Sequence, residues 1–355
     1  MRVLLLGEFS GLFQSLAEGL RECGATVDWY ANGDGYKAIT GMTGSIDGTT
    51  KNHFINRIWY PFQLIQTLKG YDVVHVMNPL IFSPYINAYL FRILKKNNKR
   101  LVMSTVGTDY AVYQYQHKAN RKYDYYLLDE NTEYDYFYKE HTRYVRDYEK
   151  VMTLIDGIIP GSMEYYYAHE NNPKLTSICR HPINTSKIEY TENRIQDKIV
   201  IFHGISREVF KGTAYIKAAM EAIGEKYPDD VEIIIDGKMP IEEYKALMAR
   251  ANIVIDQCRS YGQGINALIA LAQGKIVLSG AEEECMDKMG VQDCPVYNII
   301  ANKEQIMAQL EEIIARREEF IELGKRSRAY VEKYHHHKLI AQDFMEVYQT
   351  ILEFN

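Results

Sequence analysis

The sequence predicts an α/β protein made of two doubly wound parallel-sheet domains. Three observations carry this reading. Short continuous apolar runs alternate with segments of helical periodicity, as expected of strands buried on both faces of a parallel sheet. The alternation pauses near residue 180 and resumes near residue 199. The chain has 355 residues, more than the ~250–300 that one core usually sustains.

Val3 to Leu6 reads as the first strand. Gly7-Glu-Phe-Ser-Gly11 is a short loop. Leu12, Phe13, Leu16, Ala17 and Leu20 then recur at helical spacing, until Gly24 stops the helix. Thr26 to Tyr30, Val73 to Val76, Leu101 to Val106 and Ile158–Ile159 are further strands. Between Tyr110 and Tyr148 lie eleven of the 29 tyrosines, interleaved with charges and without a clear strand. This segment, about 110–150, reads as a helical insertion. Cys179-Arg-His-Pro-Ile-Asn184 reads as a linker, because Pro182 blocks a regular ladder.

The second series follows. Ile199 to Phe202, Val231 to Ile235, Ile253 to Ile255 and Ile276 to Leu278 are strands. Thr213 to Lys226, Gly264 to Gln273 and Glu304 to Arg316 are helices. The reading therefore gives an N-terminal domain over 1–182, a second domain over 183–338, and a final helix over 339–355 that returns to the first.

Composition excludes several functions. Forty-one Lys and Arg against 47 Asp and Glu leave a net charge of −6, so nucleic acid is not the expected partner. Five scattered cysteines without a Cys-x-x-Cys fit a reducing cytoplasm rather than a disulfide framework or zinc ribbon. The N-terminal apolar run ends at Gly7, too short for a signal-peptide core. No stretch approaches the ~18–20 apolar residues of a membrane span; Leu80 to Leu94 is interrupted by Pro84, Asn87 and Arg92. Peripheral contact at the inner face of a membrane would need a local basic patch or exposed aromatic residues.

In open α/β sheets, ligands bind beyond the carboxyl ends of the strands, which directs attention to four loops. Gly7 to Gly11 either lets backbone N–H groups face an anion or is a tight strand–helix turn. His203-Gly-Ile-Ser-Arg207-Glu-Val-Phe-Lys211-Gly212-Thr213 places two cations four residues apart at a helix start. It suits a diphosphate, or is a solvated surface pair. Asp256-Gln257, then Tyr261-Gly262-Gln-Gly264-Ile-Asn266, form a loop whose glycines permit close backbone approach. Asp109, after Gly107-Thr, is a candidate acid, base or sugar-hydroxyl acceptor, or a turn cap. His335 to His337 do not have the spacing of metal ligands on one helix face. Asp-x-Asp, Gly-x-Ser-x-Gly and the P-loop pattern are absent.

These residues resemble GT-B glycosyltransferases of the family 4 type, found in bacterial capsule, O-antigen and exopolysaccharide clusters. His203-Gly-x-x-Arg207-x-x-x-Lys211-Gly212 is similar to the family's diphosphate clamp. Asp256-Gln257 and Tyr261-Gly-x-Gly264-x-Asn266-Ala-Leu are similar to its donor loop and helix. Gly7 to Gly11 is similar to its glycine loop, and Asp72-Val-Val-His75-Val and Gly107-Thr-Asp109 to its acceptor-side strand ends.

The resemblance implies two Rossmann-like domains facing a cleft. It implies transfer of a hexose from a nucleotide-diphospho-sugar to a glycan or lipid-linked glycan, with retention, no metal and no cofactor. Arg207 and Lys211 would hold the diphosphate; Gly11, Gln257, Tyr261, Gly262, Gly264 and Asn266 would cradle the donor; Asp109 or His75 would face the reacting sugar. Two positions depart from the family. Its pair of glutamates, eight residues apart, falls here on Tyr261 and Ile269. That departure motivates one rival reading, a non-catalytic binding or partner subunit of the same fold; the other rival is a sugar-nucleotide epimerase, which needs acidic bases in the cleft.

Overall fold

A computed structural model describes residues 1–33, 39–107, 110–117, 122–123, 142–237 and 241–353. Among these, the chain divides into two compact units. The first holds 1–117, 142–182 and 337–353; the second holds 183–336 together with Lys122 and Tyr123.

The first unit is a six-stranded sheet, parallel throughout. Its strands are β1 (Arg2–Leu6), β2 (Thr26–Ala31), β3 (Gly44–Ser45), β4 (Val73–Val76), β5 (Arg100–Thr105) and β6 (Gly157–Pro160), in the order β3-β2-β1-β4-β5-β6. Leu4, Leu5 and Leu6 are all fully buried, so β1 is covered on both faces. Each such leucine stabilises the fold by about 1.5–3 kcal/mol. Helices α1 (Leu12–Glu22), α2 (Tyr60–Thr67), α3 (Asn87–Asn97), α4 (Tyr110–Gln116), α5 (Arg143–Leu154) and α6 (Met163–His169) join the strands, and a π-helical turn, Ile55–Trp59, leads into α2. Among the tyrosines expected in the insertion, Tyr115 and Tyr148 are buried within this unit: Tyr115 stacks on Tyr167, and Tyr148 meets Tyr110 edge-on.

The second unit is a five-stranded parallel sheet. Its elements in chain order are β7 (Ile199–Ile205), α7 (Glu208–Lys211), α8 (Thr213–Lys226), β8 (Val231–Gly237), α9 (Ile241–Arg250), β9 (Ile253–Ile255), α10 (Ile265–Ala272), β10 (Ile276–Ser279), α11 (Glu283–Lys288), β11 (Tyr297–Asn298), α12 (Lys303–Ala315) and α13 (Phe320–Tyr334). The strand order is β11-β10-β9-β7-β8. Ile199, Ile201, Ile253, Ile255, Ile276 and Leu278 bury one face against Ile216, Met220 and Ile223 of α8 and Ile306, Leu310 and Ile313 of α12.

The last helix, α14 (His337–Glu353), belongs to the first unit. It packs closely on α1 because Gly19 has no side chain: a Cβ there would lie 2.4 Å from the His337 carbonyl oxygen. Tyr348 anchors the helix deeper, its hydroxyl 2.7 Å from His75 Nδ1. No helix among the described residues is long and apolar enough to cross a membrane.

Candidate functional site

In the second unit, β7, β9 and β10 deliver three loops to the carboxyl end of the sheet. Helix α7 is a single turn ended by Gly212 in the left-handed conformation, φ 73°. A Cβ at Gly212 would lie 2.4 Å from Cys258 Sγ, so glycine is required there on two counts. The Cys258 N–H donates to the Lys211 carbonyl at 2.9 Å, tying the first loop to the second. Burial pushes the Cys258 thiol up to about 12, which leaves it inert at neutral pH.

Beneath these loops lies a buried ion pair. Lys211 Nζ donates to Asp256 Oδ1 at 2.7 Å, and the two side chains are 8% and 4% exposed. This corrects the expectation that Lys211 lies on a loop and offers a free charge to a diphosphate. Its charge is already matched, because burying an ammonium group demands a partner. His203 lies beside the pair. Its Nδ1 donates to the Ile255 carbonyl at 2.8 Å, leaving Nε2 to accept from the Thr213 hydroxyl at 3.0 Å. Burial, more than any other influence, lowers its pKa, so the ring is neutral.

Arg207 is exposed and its guanidinium rests on the Phe210 ring at 3.9 Å. Of the two expected cations, it is the one at the surface. Gly264 is the extended N-cap of α10, and no side chain caps that helix. The backbone N–H groups of Ile265, Asn266 and Ala267 stand at the helix start, where the first turn has no intrahelical acceptors. Gly262 precedes them, and its carbonyl accepts from Gln257 Nε2 at 3.2 Å. Gln257 therefore braces the loop from below rather than presenting its amide outward. Asn266 is half-buried on the first turn, and Ile269 is half-buried one turn on.

Tyr261 is only 6% exposed. The Tyr123 ring meets it edge-on at 5.0 Å, and the Lys122 ammonium lies 5.9 Å from its ring centre. Both residues also engage Glu282: the Tyr123 hydroxyl donates to one carboxylate oxygen and Lys122 Nζ pairs with the other at 2.7 Å. Burial would raise the Glu282 carboxyl, but the hydrogen bonds from Lys122, Tyr123 and Asn298 and the Lys122 charge together outweigh it and hold the group below the usual carboxylate range. The Glu282 N–H donates to the Tyr261 carbonyl at 2.9 Å. Sequence reasoning missed Glu282, Lys122 and Tyr123. The acidic run Glu282-Glu283-Glu284 directly after a strand was a legible signal for the first; nothing local announces that Lys122 and Tyr123 belong to this unit.

The first unit treats its expected residues differently. His75 is fully buried on β4. Its Nδ1 lies 2.7 Å from the Tyr348 hydroxyl and its Nε2 2.8 Å from Ser104 Oγ. Burial pulls its pKa down to about 3. Both ring nitrogens are engaged and no edge is open, which corrects its assignment as a group facing a sugar. Gly11, in the left-handed conformation at the start of α1, donates its N–H to Glu8 Oε1 at 3.0 Å, and the Gln14 N–H donates to Glu8 Oε2 at 2.8 Å. A buried carboxylate of the chain itself occupies the helix N-terminus where a phosphate was expected. Asp109 lies outside the described residues.

The two-sheet architecture is that of the GT-B fold, which solved structures share over nearly the whole chain. HepE from Anabaena, in complex with UDP and glucose, matches with a TM-score of 0.63 at 12% identity, over 99% of this chain and 100% of that one. Sucrose-phosphate synthase from Thermosynechococcus elongatus matches with 0.59 at 14%, over 100% of both chains. WaaG, a glycosyltransferase involved in lipopolysaccharide biosynthesis, matches with 0.57 at 13%, over 97% of this chain and 99% of that one. No protein-family model and no curated protein matches the chain. At these identities the likeness establishes the fold.

Proposed function

We propose that this chain transfers a hexose from a nucleotide-diphospho-sugar to a glycan or lipid-linked glycan acceptor at the cytoplasmic face of a membrane, with retention and without a metal ion or cofactor. The observation that carries the reading is the uncapped start of α10 after β9, together with exposed Arg207 after the neighbouring strand β7. A helix N-terminus with free N–H groups attracts an anion, and an arginine can bind a phosphate through two parallel hydrogen bonds. Together they would stabilise the charge that grows on a departing diphosphate, the task a metal otherwise performs. Asn266 would serve donor hydroxyls, and Gly262 and Gly264 allow the close approach. HepE is described with UDP and glucose, which supports this donor class. Asp109 is the proposed group facing the reacting sugar.

Calorimetric titration with UDP-glucose and related donors tests the reading. Binding that resists a chelator and weakens about ten- to hundredfold in Arg207→Ala is the expected result. Undiminished binding in that variant would remove Arg207 from the site.

One observation favours a second reading, nucleotide-sugar binding without transfer. Tyr261 stands at one of the family's glutamate positions, and it is closed beneath Tyr123 rather than open to a ligand. Tight donor binding with no release of free nucleotide against any acceptor would select that reading.

A further inference from the structure

We propose that the face built by the π-helical turn, α2 and α3 of the first unit docks onto a membrane surface carrying negatively charged phospholipids. Five of the large apolar side chains exposed among the described residues fall between positions 54 and 89: Phe54 at 63%, Ile55 at 38%, Trp59 at 50%, Tyr85 at 71% and Tyr89 at 52%. Two of them are joined through a third ring. Trp59 stacks on Phe62 with ring centres 6.0 Å apart, and Phe62 stacks on Tyr89 at 6.1 Å, so one ring column joins α2 to α3. Tyr89, Arg92 and Lys96 are exposed at helical spacing on α3, one stripe with a ring at its start and cations at its end; Tyr85 precedes the helix and carries the Arg143 guanidinium 4.1 Å from its ring centre.

Charge selects the partner. Residues 51–100 carry eight Lys and Arg and a single acidic residue, Asp72, in a chain whose net charge is −6. Some of these cations are committed: Lys95 pairs with Asp156, Lys99 with Asp72, and Arg100 binds carbonyls at the end of α14. Arg57 faces Asp47 at a loose 3.7 Å and remains exposed. Lys51, Lys69, Arg92 and Lys96 are exposed as well. Aromatic rings that are half apolar and half polar prefer the headgroup zone, and cations beside them meet lipid phosphates. A solvated face needs the cations but gains nothing from five exposed apolar groups. The docking is independent of the donor chemistry, although it would bring a lipid-linked acceptor to the enzyme.

The two tryptophans make the test direct. Trp29 is 1% exposed and Trp59 is half-exposed, so a change in emission on adding vesicles reports Trp59. The full chain is mixed with phosphatidylcholine vesicles, with and without phosphatidylglycerol, and followed by fluorescence and co-sedimentation. The expected result is a blue shift and sedimentation with the anionic vesicles only, weakened by added salt. Phe54→Ala with Trp59→Ala, and separately Arg92→Glu with Lys96→Glu, should each weaken vesicle binding by about tenfold or more. Melting temperatures and nucleotide-sugar binding should stay at wild-type values. Absent vesicle binding, or variants that bind as well as wild type, overturns the proposal. So does wild-type self-association without vesicles that the Trp59 variant abolishes, because the face is then a contact between copies. Loss of donor binding with intact vesicle binding would instead defeat the glycosyl-transfer reading and leave the docking surface standing.

Discussion

Two helices in this molecule begin the same way and end up with different electrostatics. Both α1 and α10 follow a parallel strand and a glycine-containing loop, and both start with N–H groups that have no intrahelical partner. At α1, Glu8 turns back and its carboxylate accepts from Gly11 and Gln14. At α10, no side chain does this. One helix start thus has its N–H groups taken by a carboxylate of the chain itself; at the other, Asp256 lies beside Gly264 but accepts no hydrogen bond from the first turn. The difference teaches that a strand–glycine–helix pattern locates a place where an anion is favoured without saying whose anion it is.

The same contrast applies to the cations of the second unit, and it yields the largest expected effect. Lys211 is the internal member and Arg207 the external one. Lys211→Ala would leave Asp256 buried and unpaired, which costs about 3–5 kcal/mol. Urea denaturation should show that loss, with Lys211→Met plus Asp256→Leu recovering most of it. A Lys211→Ala protein with wild-type stability but weakened donor binding would show that the lysine faces the ligand after all. Arg207→Ala should do the opposite. Its stability should change by less than about 0.5 kcal/mol, while donor affinity falls by about 1.5–3 kcal/mol.

His75 sharpens the comparison through pH. Its folded pKa is about 3 against an ordinary 6.5, so the unfolded chain takes up a proton that the folded ring refuses. The neutral ring's stabilisation is fully present above pH 6.5 and is lost as pH falls from there towards 3, by about 1.4 kcal/mol per pH unit. His75 should therefore account for about 2 kcal/mol of what the first unit loses between pH 7 and pH 5, with His181, lowered by burial to about 4, adding its own share. Substituting His75 with glutamine should remove the His75 share of that dependence. An unchanged slope would mean that the ring is not buried as a neutral group.

The fold was legible in the sequence because it rests on repeated signals. The runs Val3–Leu6, Val73–Val76 and Ile253–Ile255 became strands since each is short, largely apolar and buried on both faces, as a parallel interior requires. The site was legible only as a set of addresses. Arg207 and Lys211 look equivalent at their spacing, but which of them is buried depends on Asp256, 45 residues after Lys211. Likewise, His75 reads as an exposed strand-end residue until Tyr348, 273 positions later, takes its Nδ1. Pairings that distant leave no local trace. Glu8 is the exception, since its capping partners Gly11 and Gln14 lie only three and six residues away.

Glu8 also supplies the smallest expected effect and the most direct attack on the comparison. Glu8→Ala deprives α1 of its cap and should cost about 0.5–2 kcal/mol, the usual range for losing a capping side chain. Part of any larger loss would have to come from contacts of Glu8 beyond the cap. If the α10 end alone receives the donor, nucleotide affinity in this variant should equal that of the wild type, because the vacated α1 end takes no part in binding. The alternative has a distinct signature. Removing a negative charge from a site that also faces the phosphates would tighten binding, by up to about tenfold for 1.4 kcal/mol of relieved repulsion. Measuring melting and donor titration on this one variant therefore separates a purely structural cap from a second anion site held closed by the chain's own carboxylate. A lowered melting temperature with unchanged affinity supports the division between the two helix starts; tightened affinity would show that the α1 end also receives an anion.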